Sequence, residues 1–236
     1  MSEIIQQLRQ ELAIKSDEKT RISSMHFFKE SIKCYGIKSA DVGNIAKNSF
    51  NRVKNLPKEE IFDLCESLWQ SGMLEETFIA CHWSYSLHKK FEPEDFVRFR
   101  NWVLKYVDNW ASCDTFCNHT LGTLVEMYPQ FIGDLKRMAQ HESRWMRRAA
   151  AVTLIIPARK GFFISDIFEI ADILLLDRDD MVQKGYGWML KVAANKHLQE
   201  VYDYVISKKS VMPRTSLRYA IEKMPPEMKK KAMEKN

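Results

Sequence analysis

Three prolines recur at a fixed interval and constrain the fold more than any other feature of the chain. Pro57, Pro93 and Pro129 are separated by 36 residues each. Acidic residues follow the first two, beginning at Glu59 and Glu94. Proline in the first turn of a helix with acids behind it is a helix start signal, because that turn leaves its N–H groups unpaired and favours negative charge. The spacing therefore predicts helices that begin at a regular repeat.

Each of these starts opens a predicted pair of helices. Apolar residues recur at helical spacing, and no segment shows the sustained alternation that a sheet needs. The predicted pairs are 57–70 with 74–90, 93–107 with 111–127, 129–141 with 143–156, 163–176 with 179–195, and 197–208 with 212–224. Helix pairs repeated at about this length are typical of an α-solenoid of HEAT type. The predicted fold class is therefore all-α, a solenoid of HEAT-like helix pairs.

The first 53 residues lack this repeat and predict an N-terminal helical cap. Three helices are expected there, at 2–15, 17–35 and 39–53, with Gly36 ending the second. No low-complexity linker interrupts the chain. We therefore expect one domain over residues 1–236, with the cap at 1–53, the helix-pair repeats at 57–224 and a basic tail at 225–236.

The composition is that of an ordinary soluble chain, with 45% hydrophobic residues and no apolar run long enough for a transmembrane helix. The N-terminus lacks the pattern of a signal peptide. The five cysteines lie in helical patterns, which predicts reduced, buried thiols and a cytoplasmic protein without a membrane partner. Cys113 and Cys117 are followed by His119, but a zinc site needs four ligands at better-known spacings, so we expect no metal and no cofactor.

Positive charge is concentrated at the C-terminal end. From Ser207 onward the chain has nine Lys or Arg against three Glu, while its overall net charge is +5. Basic residues also recur at Arg148, Lys184 and Arg218, 36 and 34 residues apart, each followed by small residues. This pattern favours cations that face outward from successive helices. Such a surface suits a polyanion, and the alternative for the C-terminal end is a solvated basic tail.

Two groups of residues could form a functional site. Trp110 and Asp114 lie one helical turn apart, and Lys184, Trp188 and Lys191 share one helix face. An aromatic flanked by cations suits nucleic acid, because cations bind phosphate and the ring contacts sugar or base. The alternative for Trp110 and Asp114 is a packed ring and an acid that serves the helix N-terminus.

Three runs together carry a family resemblance. They are Asn109-Trp110-x-x-x-Asp114, Trp145-x-x-Arg148-Ala149-Ala150 and Gln183-Lys184-x-x-Gly187-Trp188-x-x-Lys191. In order and separation they resemble the AlkD-type DNA glycosylases, HEAT-like-repeat enzymes of DNA alkylation repair. The resemblance covers nearly the whole chain, from Phe27-Phe28-Lys29 to the helix that begins at Pro213.

The resemblance implies residue roles. Trp110, Trp188, Asp114 and Arg148 would be the catalytic residues around the damaged nucleotide. DNA contacts would come from Lys184, Lys191, Arg147, Phe27, Lys29 and Arg218. Two positions depart from the family pattern: Phe27 stands where a tyrosine is expected, and Lys191 where an arginine is usual. The first lacks a hydroxyl, and the second cannot bind a phosphate with two parallel hydrogen bonds.

The implied activity is that of a monofunctional glycosylase acting on duplex DNA that carries cationic N3- or N7-alkylpurines. It would work as a monomer in a basic groove, without flipping the base into a pocket. No lysine is an obvious Schiff-base nucleophile, so an abasic site is the expected product. The alternatives are a non-catalytic module that binds DNA by shape, which needs no Asp114, and a protein-interaction scaffold, since a helical solenoid does not fix function.

Overall fold

The structure is a computed structural model and describes residues 3–234. In this range every regular element is a helix, and strand-like pairing is limited to an isolated bridge between Lys33 and Met73. The predicted all-α class is confirmed. The chain forms two compact units that divide between Phe116 and Cys117.

The helices of the first unit follow the proline repeat, whereas Pro129 in the second unit opens a 3₁₀ turn ahead of the helix Ile132–Met138. The first unit contains α1 (Glu3–Ile14), α2 (Glu18–Phe27), α3 (Ser39–Val53), α4 (Lys58–Trp69), α5 (Leu74–Ser86), α6 (Asp95–Tyr106) and α7 (Trp110–Phe116). The second contains α8 (Gly122–Met127), α9 (Ile132–Met138), α10 (Arg144–Val152), α11 (Ile155–Lys160), α12 (Ile164–Ile173), α13 (Asp180–Ala193), α14 (Leu198–Lys208), α15 (Arg214–Ile221) and α16 (Pro226–Met233). Starts at Lys58 and Asp95 directly follow Pro57 and Glu94, as the sequence predicts.

Several predicted boundaries differ from the structure. The expected helix 143–156 ends at Val152, and α11 follows it as a separate helix. The expected helix 111–127 consists of α7, then a π-helical segment at Cys117–Leu121, then α8. The segment 225–236, expected as a tail, contains α16, which begins with Pro226 in its first turn.

Aromatic side chains form the core of the first unit. Phe62, Phe99, Trp102 and Phe116 are fully buried, and their rings lie 5.3–5.9 Å apart. Such offset and edge-on pairs add to the gain from burying the rings. Phe116, the last residue of α7, is part of this core, so the core packs against α7. This packing fixes the helix that carries the first candidate site residues.

The expected helix 17–35 is wrong beyond Phe27. Residue 28 is extended, and Ile32 and Cys34 are buried against Leu74 while Lys33 between them is exposed. The Lys33 carbonyl accepts the Leu74 N–H at 2.8 Å. Contacts with α5 thus replace the hydrogen bonds that a longer helix would have made.

A buried carboxylate holds the end of this extended segment. Glu75, 3% exposed, accepts the N–H groups of Tyr35 at 2.9 Å, Gly36 at 2.8 Å and Ile37 at 3.1 Å. Gly36 has φ of +84°, and a Cβ there would lie 2.4 Å from the Asp17 carbonyl oxygen. Gly36 therefore closes a loop against the start of α2. The prediction that Gly36 ends this helix is wrong.

A second buried acid joins the same loop to α1. Glu76 is bound by Arg9 at 2.9 Å and by the Tyr35 hydroxyl at 2.8 Å. Burial and the bond to Glu76 raise the pKa of Tyr35, and the bond to Glu76 raises the pKa of Arg9. The arginine stays charged and the tyrosine stays neutral, so each continues to donate to the carboxylate.

The second helices of successive pairs pack on one another in the second unit. α10 packs on α13, and α13 packs on α15. Tyr186 of α13 is fully buried, donates to the Leu175 carbonyl at 3.1 Å and lies 2.6 Å from the Ser216 hydroxyl of α15. Burial raises the pKa of Tyr186 to about 12, so the hydroxyl keeps its proton and remains a hydrogen-bond donor. The arrangement is that of helix-pair repeats within this unit.

A glycine makes the close approach of α13 and α15 possible. We expect Gly187→Ala to lower the free energy of unfolding by about 2 kcal/mol, the cost of forcing an extra methyl into a packed interface. The added Cβ would lie 2.7 Å from the Cβ of Tyr219 and 2.8 Å from the carbonyl oxygen of Ser216. Urea denaturation followed by circular dichroism measures the change.

Gly43 is the matched control. It lies in α3, is exposed, and has no atom within 4 Å of the position that an added methyl group would take. Gly43→Ala should leave stability unchanged or raise it by about 0.5–1 kcal/mol, because alanine is the better helix former. If Gly187→Ala behaves in the same way, the two helices do not need the glycine.

No helix within residues 3–234 has the length and apolar character required to cross a bilayer. All five cysteines are free thiols and are buried, as the sequence predicts.

Candidate active site

One face of α7 presents an aromatic ring and a carboxylate together. Asn109 starts this helix: its side-chain oxygen accepts the Ser112 N–H at 2.9 Å, and its carbonyl accepts the Ser112 hydroxyl at 3.0 Å. Trp110 and Asp114 are both partly exposed, whereas residues 111–113 between them are buried. The cap therefore fixes a short helix whose outward face carries the ring and, one turn later, the acid.

The structure removes one alternative for Asp114. α7 has no acid in its first turn, and Asn109 provides the cap. Asn109 therefore caps the N-terminus of α7. The sequence run Asp108-Asn109 carried this information, since Asn is among the preferred N-cap residues.

Trp110 belongs to an aromatic cluster with two neighbouring phenylalanines. Phe28 stacks on Trp110 with ring centroids 5.3 Å apart and planes 22° apart. Phe27 meets Trp110 edge-on at 5.8 Å and Phe28 edge-on at 5.6 Å. Phe27 is 70% exposed at the C-terminal end of α2. The cluster fixes the orientation of Trp110 and leaves an aromatic surface in contact with solvent.

The structure brings Phe27 and Phe28 together around Trp110. The sequence pattern indicates no role for Phe28, since two adjacent phenylalanines in a predicted helix would point in different directions. The turn at residue 28 aligns both rings on Trp110. Lys29 follows and is exposed.

Arg148 does not face outward, so that expectation from the repeat is wrong. Its residue is 5% exposed on α10, and its Nη1 donates to the carbonyl oxygen of Met181 at the start of α13. Gly185 makes room for it, since a Cβ at that position would lie 3.2 Å from the Cγ of Arg148. A largely buried guanidinium held by backbone is rigid, and it presents only a small part of its surface to a ligand.

Arg147 is also held by the protein. Its guanidinium binds Asp177 at 2.5 Å and the backbone carbonyls of His141 at 3.0 Å and Glu142 at 2.7 Å. Arg147 thus ties the loop before α10 to the loop before α13. The sequence could not reveal these partners, because Asp177 is 30 residues away.

In the second unit, α13 carries an aromatic side chain between two cations. Lys184, Trp188 and Lys191 are all partly exposed, so the predicted shared face is present. Lys184 pairs with Asp180 at 2.6 Å. Lys191 pairs with Glu222 at 2.9 Å, and its Nζ lies 5.4 Å from the centre of the Tyr219 ring. Glu222 is a partner that the sequence motifs do not indicate.

The next cation along the repeat, Arg218 of α15, is exposed as predicted. The three repeat positions therefore differ: Arg148 is buried, Lys184 is intermediate and Arg218 is open to solvent. Among residues 3–234, no group of three or more His, Cys, Asp or Glu has a geometry that could hold a metal ion.

Comparison with known proteins identifies the family. A family model described as DNA alkylation repair enzyme matches residues 8–224. The chain belongs to this family of DNA alkylation repair enzymes.

Two solved structures are similar in fold. A predicted DNA alkylation repair enzyme from Enterococcus faecalis superposes with a TM-score of 0.80 at 18% identity, covering 90% of this chain and 98% of that one. The protein smu.31 from Streptococcus mutans superposes with a TM-score of 0.59 at 20% identity, covering 78% of this chain and 97% of that one. At such identities the likeness supports the fold alone. No curated protein matches the chain.

Proposed function

We propose that this protein is a monofunctional DNA glycosylase that hydrolyses the N-glycosidic bond of cationic N3- and N7-alkylpurines in duplex DNA. Family membership supports a DNA repair enzyme. The observation that carries the finer proposal is the outward face of α7, where Trp110 and Asp114 are partly exposed among buried neighbours. A ring and an acid presented together suit a substrate that is both aromatic and positively charged.

The chemistry needs no general acid. Alkylation at N3 or N7 gives the purine a formal positive charge, so the base leaves as a neutral molecule when the glycosidic bond breaks. Positive charge then develops on the deoxyribose. The enzyme must stabilise that charge and supply a water molecule to the sugar carbon, and neither task requires the purine to enter a protein pocket.

Asp114 has the charge for both tasks. A fixed carboxylate stabilises an oxocarbenium-like sugar electrostatically, and it can orient and deprotonate the attacking water. Trp110 offers a π surface to the cationic nucleotide, an interaction of up to about 2 kcal/mol when it is shielded from water. The stack with Phe28 supports this role, because a ring that is already oriented loses little entropy on binding.

In the second unit, Trp188 offers the same type of surface on α13. Its neighbours Lys184 and Lys191 are paired with Asp180 and Glu222, both on exposed or partly exposed positions. Surface ion pairs of this kind stabilise a protein by about 1 kcal/mol or less, so a DNA phosphate can replace the acidic partner of either lysine. We propose that both lysines bind the DNA backbone by this exchange, while Arg148 acts from a fixed position.

The decisive experiment is base release from methylated duplex DNA. Purified protein is incubated with the DNA, and free 7-methylguanine and 3-methyladenine are measured by chromatography and mass spectrometry. Release of either base, with abasic sites and no strand cleavage, is the expected result. DNA binding with a steep salt dependence but no release would replace the proposal with a non-catalytic DNA-binding module. Absence of both would favour a protein-interaction scaffold.

A further inference from the structure

The first unit contains a cleft of about 640 Å³ beside Trp110. It lies between α2, the start of α3, the start of α5 and the first turn of α7, and its lining includes Ser23, Ser24, Phe27, Phe28, Phe78 and Trp110. Ligand-binding clefts in proteins usually measure about 300–1,000 Å³ and combine apolar walls with a few polar groups. This cleft has both properties. The proposed glycosylase chemistry uses only the Trp110 edge of it.

The aromatic walls of the cleft are fixed. Phe28 is stacked on Trp110, and with Phe78 it also packs on the buried cluster formed by Ile32, Cys34 and Leu74. Rings held in this way form a rigid surface for a flat partner. Stacking of a nucleobase on such a surface does not depend on its identity, because every base has a π face.

Two hydroxyl groups in the lining are available to a ligand. The side chains of Ser23 and Ser24 make no hydrogen bond within residues 3–234. The carboxylates of the lining are already engaged: Asp17 accepts the N–H and the hydroxyl of Thr20 at 2.7 and 2.6 Å, and Glu75 accepts three backbone N–H groups. The two serines can therefore donate to, or accept from, the polar edge of a base.

Two lysines add positive charge to the same cleft. Lys19 and Lys38 line it, are exposed, and form no ion pair with a described residue. Hydrogen bonds from Thr20 lower the pKa of Asp17, and the two lysines lower it further through longer-range attraction. The partly buried Lys58, by contrast, is paired with Asp95. Unpaired lysines at the edge of an aromatic cleft suit a phosphate.

We propose that this cleft binds a single unstacked, undamaged nucleotide of the DNA substrate, while the alkylated purine stays outside the cleft. The base lies against the Phe28 and Phe78 walls, its polar edge meets the Ser23 and Ser24 hydroxyls, and its flanking phosphates meet Lys19 and Lys38. The inference rests on the proposed function only in taking DNA as the substrate. It assigns Ser23, Ser24, Lys19, Lys38 and Phe78 to the site, none of which the sequence motifs indicate.

The test uses two duplexes of the same sequence, one with 2-aminopurine paired with thymine and one with 2-aminopurine as a single-base bulge. Affinity is measured by the anisotropy of a terminal dye, and stacking by the 2-aminopurine emission. We expect the bulged duplex to bind about tenfold more tightly, with a fall in emission, since stacking one base on an aromatic contributes about this much or more. Equal affinity for the two duplexes would overturn the inference.

Ser24→Phe places a ring in the cleft and leaves the residues Trp110 and Asp114 themselves unchanged. α2 contributes no buried residue to the core, so the substitution should leave the fold intact, which circular dichroism checks. We expect it to abolish the preference for the bulge and leave the affinity for paired duplex unchanged. Asn48→Phe, on the exposed side of α3, is the matched control and should keep the preference. Retention of the preference by Ser24→Phe would exclude the cleft.

The charge assignment has its own pair of variants. Lys19→Gln combined with Lys38→Gln should reduce the salt dependence of bulge binding, as loss of each phosphate contact lowers the slope by about one. Lys105→Gln on α6, also exposed, should not. An unchanged slope in the double variant would contradict the phosphate role.

Base release is measured on the same preparations, which separates this inference from the proposed function. Release without a bulge preference supports the glycosylase and rejects the nucleotide cleft. A bulge preference that Ser24→Phe removes, without release of either methylated base, rejects the glycosylase and supports the cleft.

Discussion

Asp114→Asn is expected to lower the rate of base release by about a hundredfold or more while leaving the affinity for DNA within about twofold of wild type. The change keeps the size of the side chain and removes its negative charge. Loss of one fixed group that stabilises transition-state charge typically costs about 10²–10³ in rate. The affinity should be nearly unchanged, because a negatively charged carboxylate makes no favourable contribution to the binding of a polyanion. Single-turnover release from methylated duplex, and anisotropy at the same salt concentration, measure the two quantities.

The control for this prediction is Asp41→Asn. Asp41 is exposed in the first turn of α3, and its loss removes the same charge from the same unit. It should release base at the wild-type rate. An Asp114→Asn protein as active as wild type would show that Asp114 is not catalytic, and a parallel loss of DNA affinity would point to a structural role.

Glu75→Ala is expected to lower the free energy of unfolding by about 3–5 kcal/mol, because each backbone N–H left without an acceptor costs about 1–3 kcal/mol. Three backbone N–H groups, at residues 35, 36 and 37, lose their acceptor together. Each such bond to a charged group contributes about 1.5–3 kcal/mol, although the three share one carboxylate. Urea denaturation followed by tryptophan fluorescence measures the loss.

Two further variants sharpen this prediction. Glu75→Gln keeps one carbonyl oxygen and turns an amide donor toward backbone donors, so its loss should be smaller than that of Glu75→Ala but still above about 1 kcal/mol. Glu60→Ala, an exposed acid in the first turn of α4, should change stability by less than about 1 kcal/mol. If Glu75→Ala matches Glu60→Ala, the extended segment does not depend on the buried acid.

The elements that the sequence predicts well are those whose signals are local. Prolines at helix starts and apolar residues at helical spacing act within a few residues of their own position, so α4, α6 and their partners begin where expected. The segment 28–37 is different. Its extended form depends on Glu75, about 40 residues away, and on burial of Ile32 and Cys34 against Leu74. A helical pattern in the sequence cannot show that a distant carboxylate binds its backbone.

The predicted functional residues divide along the same line. The pairing of a ring with an acid on α7, and of a ring with two lysines on α13, follows from helix geometry alone and was predictable. The burial of Arg148 was not, because it depends on the missing side chain of Gly185 on a neighbouring helix. Nor was the stack of Phe28 on Trp110, which requires the chain to turn at residue 28.

The burial of the cysteine side chains affects how well the protein resists chemical modification. All five cysteines are buried, and burial raises the pKa of Cys34, Cys65 and Cys81, which keeps these thiols protonated. Thiolates are the form that reacts with electrophiles. Alkylating agents attack exposed thiolates, so burial protects these cysteines from the type of reagent against which a DNA alkylation repair enzyme acts. The folded chain should keep its mass in iodoacetamide and gain label only when urea unfolds it.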